Sequence, residues 1–148
     1  MDCVICGQGK AKKVNDHRIG RYRAETVKVK SEFYRCEECG EEFFSPEQIK
    51  AHNRAVKDQI RRMHVLLVPE EIVRIRHKAG LTQAELEEIL GIGPKEVPRW
   101  ESGKVIQSRG HDNMLRLIDR EPGLVKYLRK IQESRSKEQR KYQVARAV

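Results

Sequence analysis

The sequence predicts an α+β chain of two domains, a small β-rich N-terminal module joined by a helix to an all-α domain of five helices. Three observations carry this. The units CVICG and CEECG hold all four cysteines, near the start of the chain. Between them, ETVKVK alternates polar and apolar residues as a half-buried strand does. From Pro69 onward, capping residues, glycines and prolines punctuate short apolar-periodic runs.

The first module, residues 1–44, is read from its cysteines. Cys3 and Cys6 are separated from Cys36 and Cys39 by a span with 29 residues between Cys6 and Cys36. Paired CxxC units at such separation match a structural zinc site, one ion per chain, in which each pair offers two thiolates to a tetrahedron. Gly7 and Gly40 follow the pairs, where a knuckle has to turn sharply. A redox dithiol is the main rival, but it needs a preceding strand and a following helix, and Cys3 lies two residues from the start. Four thiolates leave no open position for catalytic water. EFYRC carries aromatic residues into the second pair. So short a module buries too little apolar surface to be stable unaided, so metal is expected to supply much of its folding free energy.

A connecting helix and linker are expected over residues 45–68. Ser45 reads as N-cap, Pro46 as the first helical residue and Gln48 as the returning partner of a capping box. Ile49, Val56, Ile60 and Met63 form one apolar stripe, with His52 beside it as a packed or half-exposed histidine. The helical domain follows over residues 69–131. Pro69 opens the first helix, with Ile72 and Ile75 inward, and Thr82 caps the second, TQAELEEIL, with Glu85 at its capping-box position. Gly91 ends that helix. Gly93 and Pro94 are expected to open the third, GPKEVPRWE, with Val97 and Trp100 inward; GHDNMLRLIDR and PGLVKYLRKI supply two more, with Leu115, Ile118, Leu124 and Leu128 as core candidates. Residues 132–148 form a charged tail, a frayed helix or a disordered arm.

Two capped helices across a glycine turn are the arrangement of a helix-turn-helix, whose second member enters the major groove. GLTQAELEEILGIGPKEVPRWESG resembles the Cro/repressor-like (XRE) class in its opening GLTQ and in its closing Pro-Arg-Trp-Glu-Ser-Gly run. Two residues depart from that pattern. Glu87 falls where many such motifs keep a small residue, and Pro98, in the second turn of the expected third helix, deletes a backbone hydrogen bond and predicts a bent or tightened helix. Lys95 and Arg99 are the base-contact candidates, since an arginine fork matches the two acceptors of guanine. Glu96 either accepts from cytosine or serves as a first-turn anion. Gln83, Lys104, Gln107 and Arg109 are candidates for phosphate contacts.

The net charge of +9 favours a polyanionic partner. Its excess lies mainly in residues 45–64, with 5 Lys/Arg against 2 Asp/Glu, and in residues 132–148, again 5 against 2. No stretch approaches the roughly 20 apolar residues of a membrane span, and the start lacks a secretory pattern, so a cytoplasmic location is expected. No phosphate-binding glycine loop, nucleophile–base pairing or open metal site is found, which argues against an enzyme.

Two CxxCG units, a connecting helix and a Cro-like domain, in that order over residues 1–131, resemble the MqsA (YgiT-type) antitoxin family. The resemblance implies structural zinc on Cys3, Cys6, Cys36 and Cys39, and Lys95 and Arg99 at the reading positions, the first of which is asparagine in the best-known members. It further implies a homodimer formed through the C-terminal domain, double-stranded operator DNA as ligand, and a ribonuclease toxin masked by the N-terminal domain. The expected function is thus a DNA-binding repressor, the antitoxin of a type II toxin-antitoxin system that autoregulates its operon. The alternatives are a zinc-finger/helix-turn-helix regulator without a toxin partner, and a zinc-ribbon scaffold for RNA or protein.

Overall fold

A long hairpin organises the front of the chain. Strands β1 (Ala11–Tyr22) and β2 (Glu25–Cys36) pair antiparallel in one unbroken register from Ala11 opposite Cys36 to Tyr22 opposite Glu25. A two-residue turn joins them, with Arg23 in the left-handed region at φ 54°. In β2 the expected alternation is present, with Val27, Val29, Ser31 and Phe33 buried at every second position. The β1 sequence AKKVNDHRIGRY has no such alternation, and only Ala11 and Gly20 are buried in it. A two-residue strand β3 (Glu42–Phe43) returns beside Tyr34 and Arg35. Its Glu42 takes hydrogen bonds from Arg35 and Arg18, which hold its carboxyl below the usual range. The Arg18 guanidinium lies 3.7 Å from the centre of the fully buried Phe33 ring.

This computed structural model describes residues 1–146. The chain divides into one unit over Met1–Val65 and a second beginning at Leu66.

Helix α1 (Pro46–Met63) completes the first unit by packing on the hairpin, so the segment expected as a connector covers the hairpin's core. The capping box is present: Gln48 N–H donates to Ser45 Oγ at 3.2 Å, and Ser45 N–H to Gln48 Oε1 at 2.9 Å. Val56 and Ile60 are buried as expected, whereas Ile49 and Met63 are exposed. Polar side chains take the inward places near the helix start, Gln48 on Glu32 and His52 on Ser31, and Met63 is the last helical residue. His52 Nδ1 lies 2.7 Å from Ser31 Oγ, and burial pushes its pKa down.

The second unit contains α2 (Pro69–Lys78), α3 (Gln83–Leu90), α4 (Glu96–Glu101), α5 (Arg109–Arg120) and α6 (Gly123–Arg146). Their apolar faces meet in one core of Leu67, Ile72, Ile75, Leu81, Leu86, Val97, Trp100, Leu115, Ile118 and Val125. Val125 takes the inward place in α6, with Leu124 and Leu128 only half-buried. Helix α6 also runs unbroken through most of the segment expected as a separate tail; residues 147–148 of that tail lie outside the described residues.

At Gly20, β1 passes close under α1. A Cβ added there would sit 2.0 Å from Val56 Cγ2 and 3.0 Å from His52 Nε2. Gly20→Ala is expected to destabilise the first unit by about 1–3 kcal/mol through overpacking, read as a lower midpoint of its melt. An unchanged midpoint would mean that α1 does not lie on the hairpin.

Candidate metal centre and helix-turn-helix

The hairpin register brings Cys36 to the open end of the sheet, and the first knuckle is stitched to that end by backbone bonds. Cys3 N–H donates to Gly9 C=O at 2.9 Å, Ala11 N–H to Met1 C=O at 2.9 Å, and Glu37 N–H to Lys10 C=O at 3.0 Å. Each pair turns through a glycine in the left-handed region, Gly7 at φ 68° and Gly40 at φ 72°. As a result the four sulfurs, expected together from their spacing, lie within 4.8 Å of one another. Cys3 Sγ is 3.8 Å from Cys39 Sγ, and Cys6 Sγ 3.8 Å from Cys36 Sγ.

A tetrahedron with metal–sulfur bonds of about 2.3 Å has edges of about 3.8 Å, so the four sulfurs fit a thiolate-bound divalent ion. Backbone N–H groups point at the sulfurs, Ile5 at Cys3 and both Glu38 and Cys39 at Cys36, over 3.4–3.5 Å. The N–H groups of Gln8 and Gly9 bring the Cys6 thiol down to about 6. The N–H of Glu41 also pulls the Cys39 thiol down, but desolvation and the other three sulfurs outweigh it and push that thiol up to about 12. Four thiols so close resist joint ionisation unless a cation neutralises them. A site residue not among those expected is Gly9, where a Cβ would lie 2.5 Å from Cys36 Sγ; its only signal in the sequence is the second glycine of CGQGK.

In the second unit, α3 and α4 form the helix-turn-helix. Thr82 and Glu85 exchange capping-box bonds, and Gly91 ends α3 at φ 67°. The turn is longer than expected. Lys95 adopts φ 68° before α4, so the helix starts at Glu96, two residues beyond Pro94. Pro98 is therefore third in α4 rather than in a second turn. Its missing N–H has no intrahelical partner at that position, so the expected loss of a hydrogen bond does not arise. Glu87 is buried and serves as a cap for the next helix. Its Oε1 accepts from Val97 N–H at 3.1 Å, closing one of the open donors at the start of α4. A bidentate pair, Arg76 with Glu101, ties α2 to α4, and Gln83 Nε2 donates to the same carboxylate at 2.7 Å.

Lys95 and Arg99 are exposed at the start and the middle of α4, and Arg99 Nη1 is 3.3 Å from Glu96 Oε1. Lys104 and Arg109 are exposed between α4 and the start of α5. Gln107 is not at the surface. Its amide nitrogen donates to Leu67 C=O at 2.8 Å and to the buried carboxylate of Asp112 at 3.0 Å, so it holds the loop before α5 to the chain before α2. That geometry removes Gln107 from the phosphate-contact candidates.

A hairpin ending in four clustered thiols, followed by a separate unit built around two helices joined by a turn, defines a two-module protein that joins a candidate metal centre to a helix-turn-helix. The family described as the antitoxin component of bacterial toxin-antitoxin systems, MqsA, matches residues 1–129. Antitoxin MqsA of Escherichia coli (strain K12) is 30% identical over 131 residues, 87% of this chain and 100% of that relative. The chain belongs to the MqsA antitoxin family, a family of antitoxins rather than enzymes. No helix among the described residues is long and apolar enough to cross a membrane.

Cys36→Ser is expected to abolish metal retention and unfold the first unit, because four-ligand binding contributes about 10 kcal/mol or more to such modules. Metal content and a melt of the full chain check this, and a metal-free variant that melts like the parent would contradict it. Glu87→Ala leaves the Val97 N–H unpaired and should cost about 1–3 kcal/mol, measured on the helical unit's transition.

Proposed function

We propose that this antitoxin is a zinc-containing, homodimeric repressor of its own operon that reads operator DNA through α4 and masks a ribonuclease toxin through its first unit. The observation that carries the reading is the exposed pair Lys95, just before the second helix of a helix-turn-helix, and Arg99, in its middle, in a chain whose family match spans both units. Arg99 bridges O6 and N7 of guanine once it leaves Glu96, and giving up an exposed ion pair costs under about 1 kcal/mol. Lys95 contacts an adjacent base edge from its left-handed backbone position, and Glu96, released, accepts from cytosine. Lys104 and Arg109 neutralise phosphates on either side of the groove, and Gln83 contacts phosphate at the start of α3.

Zinc on Cys3, Cys6, Cys36 and Cys39 is structural: it neutralises the thiolates and fixes the knuckles, with no chemistry at the ion. A two-fold dimer of the second unit matches the symmetry of a palindromic operator. The toxin partner is supported by the family's description as one component of a toxin-antitoxin system.

Arg99→Ala is expected to weaken operator binding by about 1–3 kcal/mol and to relax preference at one base position, with binding to unrelated DNA little changed. Titration of parent and variant on operator and scrambled duplexes checks this. Undiminished discrimination by the variant would remove Arg99 from the reading set, and a parent that ignores its own promoter would end the repressor reading.

A further inference from the structure

The family match stops at residue 129, but α6 continues to Arg146. From Gly123 to Arg146 it carries eight Lys/Arg against two Glu. The cations are not scattered. At 100° per residue, Lys126, Arg129, Lys130, Lys137, Arg140 and Lys141 fall within an arc of about 120° and extend over roughly 22 Å of helix. All six are exposed, and among the described residues only Lys141 of the six has an ion-pair partner, Glu138 at 3.0 Å. Leu128, packed against the core, and the half-buried Ile131 lie on the opposite side of the helix. Among the six stands one anion, Glu133, with Ser134 at the margin; between Lys126 and Lys141 no apolar side chain falls in the arc.

We propose that this outward stripe of α6 is a second, sequence-independent surface for the phosphate backbone of duplex DNA. Protein interfaces draw most of their energy from buried aromatic or aliphatic anchors, and stable seating on a bilayer takes an apolar face or lipid chain besides charge; the stripe has neither. What it offers is a linear row of positive charge on a helix that packs against α3 and α5 of the DNA-binding unit. Linear polyanions are bound by such rows through release of condensed counterions. The stripe acts whether or not α4 selects a sequence, so it raises residence on DNA at large and leaves discrimination to Lys95 and Arg99.

The test uses the full chain and a short duplex unrelated to any operator, so that failure of the operator reading and failure of this one are separable. The variant carries Lys130→Gln, Lys137→Gln, Arg140→Gln and Lys141→Gln, with affinity followed between about 50 and 200 mM salt. The slope of log affinity against log salt is expected to become shallower by about 3.6 units, at close to 0.9 for each of the four lost phosphate contacts. On the operator, the preference over unrelated DNA should persist. An unchanged slope overturns the proposal, as does a variant that keeps its DNA slope but loses binding to phosphatidylserine vesicles. If the fourfold variant loses helix content by circular dichroism, Glu133→Gln decides: tighter binding to the unrelated duplex supports the stripe, and unchanged binding overturns it.

Discussion

Four sulfur atoms held within 4.8 Å of one another set the terms for the first half of this protein. Backbone N–H groups bring the Cys6 thiol down to about 6, whereas desolvation and the other three sulfurs push Cys39 up to about 12, so the four do not ionise together unaided. A divalent cation bound there would join all four sulfurs in one cross-link. The hairpin would depend on it because β1 and β2 bury only one face and offer few apolar side chains, chiefly Val27, Val29 and Phe33. The dependence runs both ways: the continuous register from Tyr22–Glu25 back to Ala11–Cys36 is what delivers Cys36 to the first knuckle.

The second unit is held by other means. Its core is apolar and continuous, and its polar groups fix the turns. Glu87 closes the start of α4, Glu101 gathers Arg76 and Gln83, and Asp112 holds Leu67 and Gln107. These bonds set where α4 begins and which side chains it presents. Lys95 in the left-handed region carries a strain of about 1–2 kcal/mol for a residue with a Cβ, tolerated where the backbone must turn abruptly into the helix. Asparagine would accept that backbone more readily.

Much of this is legible from residue order alone. The cysteine pairs, the capping boxes at Ser45 and Thr82, Pro69 at a helix start and the inward Ile72, Val97 and Trp100 are all signals in which a local motif dictates geometry. Tertiary facts are not legible in that way. Strand β1 carries no alternation because the residues opposite Val27, Val29, Ser31 and Phe33 are Gly20, Arg18, Asp16 and Val14, a mixed set with no apolar period of its own. The start of α4 falls later than expected because Gly-Pro reads as a cap and first residue, whereas a left-handed Lys95 postpones the helix and makes Pro98 harmless. Gln107 reads as a surface amide, but a pairing 40 residues distant in sequence, with Leu67, draws it inside. Glu87 reads as an intrusion and is a cap. In each case the missing information is a partner from another element.

The most direct measurement of the central claim is amide hydrogen exchange on the full chain before and after removal of metal by a chelator. The account predicts that amides of β1, β2 and α1 lose protection together while those of α2 to α5 keep theirs. Protection in the hairpin that survives metal removal, or a loss spread evenly over both units, would contradict it.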